Sequence, residues 1–511
     1  MTLEGSALSP AAELRRTIAT TLLPGFFGTT LPDWLAERLR NGLGGVCVFG
    51  QNIVSIAQLR ELTDAIRSAN PRAVVAIDEE GGDVTRLYYD SGSLYPGAAV
   101  LGRSDDLAYT EHIGRLVGWE LRRAGCTLNF APDADINSNQ DNPVIGVRSF
   151  GSDPALVAAH AAAWTRGHQS TGVAVSAKHF PGHGDTAQDS HLDLPVVDID
   201  LAQLWDRELV PFRAAIAAGA RSIMTSHILI PRLDPNQPAT LSRRILQGLL
   251  REELRFDGVI VSDALDMRGA SGIHGIPEAA VRALDAGCDL LCIGTENTDE
   301  QLGRIEQCIL DAVVSGRLDE ARVRDAADRV LRLAADAVAA EASIPVPDAV
   351  DTVVDPDLGV DRAIATFDLS PRARRWLDEQ PTPAAVIRIE TVANLAIGVA
   401  PWGPFAETAQ DPASVAGTAW EPARIVSLSA SDVAPPLLSS GPVVIVGRNI
   451  HRYDFARGAV DRLRAGDAEV LVVDMGWPSD DRAYADIATF GASRLIGRAL
   501  LDRLDHRSIR P

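Results

Sequence analysis

A chain of 511 residues is too long for one ordinary domain and calls for two or three. It is 46 % hydrophobic, enough for substantial cores, and its formal net charge of −21 argues against nucleic acid or an anionic membrane, which both reward a basic face. No run of about 18 apolar residues exists for a membrane span, and MTLEGSALSPAAELRR lacks the basic start and apolar stretch of an export signal, so a cytoplasmic protein is expected.

In chain order, short apolar runs ending in Gly or a polar residue alternate with helix-like segments up to about residue 294. The runs are TTLLPGFFG from Thr20, GGVCVFG from Gly44, AVVAID from Ala73 and TLNFAP from Thr127. They continue with VAVSAKHF from Val173, SIMTSHI from Ser222, GVIVSDAL from Gly258 and CDLLCIG from Cys288. Helical spacing of apolar residues marks Leu201 to Ala220 and Glu278 to Gly287. Eight apolar strands alternating with helices predict a parallel (β/α)8 TIM-type barrel over residues 1–340. A Pro- and Ala-rich stretch predicts a linker over 341–360. Beyond it, AAVIRIE from Ala384, ANLAIGVA from Ala393, ARIVSLS from Ala423, PVVIVGRN from Pro442 and AEVLVVDMG from Ala468 read as strands. With helix-like stretches such as Phe455 to Gly466, they predict a smaller α/β sandwich domain over 361–511.

The five cysteines (Cys47, Cys126, Cys288, Cys292 and Cys308) sit mostly in apolar runs and read as reduced core residues. Cys288 and Cys292 are the closest pair, but CDLLCIG has no turn of the zinc-knuckle kind. Barrel enzymes carry their chemistry where strands end at their C-terminal side. Those ends hold Asp78, Lys178 with His179, His227 and Asp263. Any one of them alone could merely cap a loop; together they form a ring of acids and bases. Residues Lys178 to His191 (KHFPGHGDTAQDSH) contain three of the ten histidines. A metal site is the first alternative there, yet Pro181, Gly182 and Gly184 break any helical face joining His179 to His183, and no Cys accompanies them. A tight loop presenting polar groups to a ligand fits better, with no metal expected.

KHFPGHGDT followed by DSH resembles the signature of glycoside hydrolase family 3, in its β-N-acetylglucosaminidase subfamily. IDEEGGDVTRL (Ile77 to Leu87), NPVIGVRSFGSDP (Asn142 to Pro154), MTSHI (Met224 to Ile228) and FDGVIVSDALDM (Phe256 to Met267) agree with it in family order. The resemblance covers nearly all of the expected barrel and, more weakly, the second domain. It implies Asp263 as nucleophile, His191 as acid/base and Asp189 as the residue that orients His191. It implies Asp78, Arg86, Arg148, Lys178 and His179 as sugar-holding residues, with Met224 and His227 lining the same pocket.

The chemistry of these residue types is consistent with the roles. A retaining mechanism needs one carboxylate to form a glycosyl ester and a second group to protonate the leaving oxygen. Asp263 closes the apolar run GVIVSD, although a helix N-cap is an equal reading of that position by itself. An imidazole titrating near neutrality shuttles protons readily, and Asp189 two residues before His191 can raise its basicity. Glu79 and Asp83 depart from the subfamily pattern, which leaves both glucose and N-acetylglucosamine open as the sugar. A neutral His191 would not repel a phosphate dianion as a carboxylate base would. The expected partners are therefore a small-molecule glycoside and inorganic phosphate as co-substrate, with no other cofactor. Phosphorolysis to a sugar 1-phosphate is expected at least as readily as hydrolysis. Arg448, Asn449 and His451 are weaker rim candidates, and the long Ala/Leu-rich helices leave a homodimer open.

Overall fold

The computed structural model describes residues 9–186, 194–272, 274–347, 356–391, 396–432 and 441–505. Its contacts group the chain into two units. Unit 1 comprises Met1–Glu79, Thr110–Ile136 and Ala158–Thr352; unit 2 comprises Glu80–Tyr109, Asn137–Val157 and Val353–Pro511.

Unit 1 is built on eight parallel strands: β1 (Leu22–Pro24), β2 (Gly45–Val48), β3 (Val74–Ile77), β4 (Leu128–Asn129), β5 (Ala174–Phe180), β6 (Ser222–Thr225), β7 (Val259–Ser262) and β8 (Leu290–Gly294). Each lies inside one of the eight apolar runs. The order β1-β8-β7-β6-β5-β4-β3-β2 returns the last strand to the first, the signature of a (β/α)8 barrel. Every residue of these strands is buried, as a parallel sheet covered by helices demands. Leu23, Cys47, Val74, Leu128, Met224, Val261 and Cys292 share one core cluster, joined by Val330 and Leu333 of the helix Glu320–Ser343. All five cysteines are free.

The expected helix after β5 begins with a capping box: Asp200 Oδ1 accepts from Gln203 N at 2.9 Å, and Gln203 Oε1 accepts from Asp200 N at 3.1 Å. It widens into a π turn over Leu204–Glu208 before continuing as Leu209–Ala217. Pro211 lacks the N–H that would reach the Arg207 carbonyl, and its ring crowds that carbonyl, which accounts for the widened turn.

Unit 2 carries a six-stranded sheet of β9 (Asp368–Leu369), β10 (Ala385–Glu390), β11 (Val426–Ser429), β12 (Val443–Gly447), β13 (Val470–Asp474) and β14 (Ile487–Ala488). The order is β11-β10-β12-β13-β14-β9, parallel except for the β9–β14 pair. Helices cover it, with Trp376, Trp402, Phe405 and Leu500 in one core cluster and Val460 and Ile445 in another. The segments 80–109 and 137–157 group with the C-terminal residues through specific polar ties. Arg452 donates to the carbonyls of Asn142 (2.7 Å) and Gln140, Asp83 accepts from Ala492 N at 2.8 Å, and Arg362 pairs with Asp106 at 2.7 Å. Of the stretch 341–360, the helix Glu320–Ser343 occupies the start, residues 348–355 lie outside the described residues, and a helix resumes at Pro356. No helix among the described residues is long and apolar enough to cross a membrane.

Candidate active site

The C-terminal ends of the unit 1 strands carry most of the residues singled out in the sequence. β5 delivers Lys178 and His179 and then turns through two cis peptide bonds, Lys178–His179 and Phe180–Pro181. Lys178 is 2 % exposed at its side chain, and its Nζ donates to Asp78 Oδ1, at the end of β3, over 2.6 Å. A buried ammonium is tolerated only with such a partner, so the pair fixes both side chains.

His179 Nδ1 lies 2.7 Å from Oδ2 of the fully buried Asp135, just beyond β4. The same carboxylate accepts the main-chain N–H of His183 at 2.6 Å. Burial raises the Asp135 carboxyl, but the charge and N–H of His179, helped by His183, outweigh it and hold the group below its usual range. Asp135 is therefore the hub that shapes the KHFPGHG turn. Asp133, Asp135 and His179 also offer ligand atoms within 4.8 Å of one another. The loop has no slack beyond that hub. A Cβ at Gly184 would stand 1.6 Å from the Ile136 carbonyl oxygen, and Gly182 has φ 130 with Glu208 packed against it.

His183 is pushed down to about 4, chiefly by burial, with Asp135 and Asp263 pulling the other way and His179 adding to the fall. It is a neutral imidazole at ordinary pH, in the electrostatic field of Asp263. Glu208, at the end of the π turn, is pushed up to about 7 by burial against the opposing pull of Arg207. Arg207 bridges Glu208 Oε1 (2.6 Å) to Asp185 Oδ2 (2.5 Å), and so ties this helix to the loop.

Asp263 is half-buried immediately after β7. Its N–H donates to Thr225 Oγ1 at 3.3 Å, and its Oδ1 accepts from Ala264 N at 2.7 Å. His227 Nε2 is 3.0 Å from the Ala264 carbonyl, which only accepts, so Nε2 carries the proton; Nδ1 meets Thr240 Oγ1 at 2.9 Å. His227, fully buried, thus braces the backbone beside the carboxylate. Met224 is 3 % exposed and belongs to the barrel core cluster.

Arg86 and Arg148 belong to unit 2. Arg148 closes a bidentate pair with Glu80 (Nε–Oε2 3.0 Å, Nη2–Oε1 2.7 Å), and Arg86 donates to the Ala396 carbonyl at 2.9 Å. The atypical Asp83 accepts from Ala492 N and faces Arg448; burial keeps its carboxyl above the usual range. Asn449 takes a left-handed backbone (φ 53) and Asp474 caps its N–H at 2.8 Å, while His451 lies 3.8 Å from Asp474. Asp189 and His191 lie outside the described residues. Asp135 and Glu208 were not singled out from the sequence, and His183 was weighed there only as a metal-ligand pair with His179. The DAD that follows TLNFAP was the available signal for Asp135, and the second His of the loop that for His183; Glu208 sits in an amphipathic helix and left none.

This barrel end therefore gathers a rigidly held carboxylate, a buried ammonium–carboxylate pair and a buried imidazole–carboxylate pair. Such a set can bind hydroxyls with charged donors and acceptors and can attack an electrophilic carbon. The sequence profile described as "Glycosyl hydrolase family 3 N terminal domain" matches residues 29–333. This chain belongs to glycosyl hydrolase family 3. Among family relatives, the Beta-hexosaminidase of Stenotrophomonas maltophilia (strain K279a) is 38 % identical over 296 residues, covering 56 % of this chain and 87 % of that protein. Beta-hexosaminidase A of Pseudoalteromonas piscicida is 36 % identical over 333 residues, and the match spans 60 % of this chain but only 55 % of that longer protein. A solved family 3 β-N-acetylglucosaminidase from Paenibacillus sp. str. FPU-7 superposes with TM-score 0.82 at 30 % identity, covering 98 % of this chain and 97 % of the other.

Proposed function

We propose that this family 3 enzyme removes terminal β-linked N-acetylglucosamine by double displacement, with Asp263 as nucleophile. The observation that carries this reading is the bracing of Asp263 by Thr225, Ala264 and His227 at the barrel end that also holds Lys178–Asp78 and His179–Asp135. The Beta-hexosaminidase relatives and the Paenibacillus β-N-acetylglucosaminidase support the choice of sugar. Asp263 Oδ attacks the anomeric carbon as the bond to the leaving oxygen breaks, and His191, oriented by Asp189, gives that oxygen its proton. An acceptor then attacks the same carbon, passes a proton to His191 and releases the Asp263 carboxylate. Asp78, Lys178 and His179 hold sugar hydroxyls, a role we extend to Arg86 and Arg148.

Water is the first acceptor in this reading, in line with the relatives' name. Phosphate is the second, favoured by the imidazole acid/base, which is neutral after its proton leaves and does not repel a dianion. The test is the rate on aryl β-N-acetylglucosaminide and aryl β-glucoside, with and without millimolar phosphate, together with analysis of the sugar product. Free N-acetylglucosamine at a phosphate-independent rate establishes the hydrolase. Phosphate-stimulated release of a β-sugar 1-phosphate establishes the phosphorylase. No turnover of either substrate rejects the reading altogether.

A further inference from the structure

Unit 2 contains a cavity of about 650 Å3, well inside the range of about 300–1,000 Å3 common for small-molecule sites. All its lining residues belong to that unit. They converge from three separate stretches of chain: Arg103 from the first, Asn137 and Asp153 from the second, Trp477 and Arg482 from the third. Phe490 forms an apolar base, 3 % exposed. Trp477 meets its ring edge-on at 5.7 Å and 90°, and the Arg103 guanidinium stacks 3.9 Å above it. Arg103 is tethered through Nε to the Thr366 carbonyl at 2.9 Å and Arg482 through Nε to Asp368 at 3.2 Å, so both guanidiniums are held in place.

The telling residue is Asn137. Its side chain is buried, at 1 % exposure, and neither Oδ1 nor Nδ2 has a hydrogen-bond partner. A buried amide left unpaired on both sides is costly, and the neighbouring Ser138 Oγ is in the same condition. A backbone explanation is lacking, because the Asn137 main-chain N–H is already used by the Gly151 carbonyl at 3.0 Å. An amide with a donor and an acceptor both unused fits a ligand that offers both, as a hydroxyl or acetamido group does. The charges on the wall point the same way: Arg103 and Arg482 stand against Asp105, Asp153 and Asp480, which gives no excess of positive charge to attract an anion. Planar guanidiniums and carboxylates around an aromatic base suit a ligand with polar edges and apolar faces.

We propose that this cavity is a saccharide-binding site outside the barrel's catalytic set, taking a neutral, hydroxyl-rich sugar unit. The specific sugar, a β-linked N-acetylglucosamine oligosaccharide, rests on the function proposed above. The test is calorimetric titration of the full-length Asp263→Asn chain with the N-acetylglucosamine trisaccharide. Two binding sites are expected. Adding Trp477→Ala, or separately the exposed-residue change Arg103→Ala, should remove one of them, while Arg103→Ala in the otherwise unaltered enzyme leaves aryl monosaccharide turnover within twofold. A single site unaffected by either change, in protein with an unaltered melting temperature, overturns the proposal. Displacement of the Arg103-dependent site by inorganic phosphate overturns its neutral-sugar character. An enzyme that cleaves no β-glycoside yet keeps an Arg103-dependent trisaccharide site would refute the proposed function and support the site.

Discussion

The two ends of strands β7 and β8 carry the same residue type to opposite effect. At the N-terminal end, Asp289 is fully buried between Arg251 and Arg322, and its Oδ2 also accepts from Ile260 N at 2.8 Å. Arg251 in turn donates to the carbonyls of Phe256 (2.7 Å) and Gly258 (2.6 Å). Oδ2 of this aspartate is bound by Arg251, whose other terminal nitrogen donates to the backbone, and Oδ1 by Arg322, which also donates to the Cys288 carbonyl and pairs with Asp325. At the C-terminal end, Asp263 is only half-buried and is held by short-range main-chain and threonine contacts. The lesson is that burial and an opposite charge do not mark a functional acid. What distinguishes the end proposed as catalytic is an aspartate held by its chain neighbour Ala264 and by Thr225 on the adjacent strand.

That contrast is broken most sharply by exchanging the roles. Asp263→Asn should lower kcat by on the order of 10⁴-fold or more while leaving the melting temperature nearly unchanged. Asp289→Ala should do the reverse. Removing it leaves the largely buried Arg251 without its carboxylate partner and Arg322 with Asp325 alone, at a cost of about 3–5 kcal/mol in denaturant unfolding, with the activity per folded molecule retained. A stability loss on Asp263→Asn comparable to that on Asp289→Ala would erase the distinction. Lys178→Met should cost both properties in smaller measure, with kcat/KM falling about 10²-fold in steady-state assays, because Asp78 loses its buried cation.

The smallest effect concerns Glu208, which sharpens the comparison from the side of the loop. Its folded-state value is raised to about 7, so the native protein favours the protonated form. The contribution is therefore full below the unfolded carboxyl's ordinary value and is lost as pH rises through about 7. Glu208→Gln should flatten that loss: thermal melts of the parent and variant should diverge in the variant's favour as pH rises from 5 to 8. Equal slopes would mean that the Arg207 pairing keeps Glu208 ionised throughout.

Much of this was legible in the sequence because buried parallel strands must be apolar on both faces. The eight runs each yielded a strand, and Asp78, Lys178, His179 and Asp263 stand where the runs end. Four of the five later runs became β10 to β13. The fifth, ANLAIGVA, did not become a strand over its described part: residues 396–399 form turns, Gly398 has φ 76 and Val399 is exposed. Strands β9 and β14 are two residues each, too short for any periodicity to show. Pairing across long separations was also hidden. Glu80 and Arg148 are 68 positions apart, and nothing local reveals that one closes the fork of the other. The hub role of Asp135 was equally invisible, since it depends on a turn 44 residues away.

The most direct test of the account is to trap the intermediate. The enzyme is incubated with an activated fluorinated β-glycoside that forms a glycosyl ester faster than the ester is released, and the chain is then weighed and its peptides mapped. The account predicts one added glycosyl mass on the peptide containing Asp263, discharged on adding acceptor and absent from Asp263→Asn. An adduct on another residue, or turnover that inverts the anomeric centre, would contradict it.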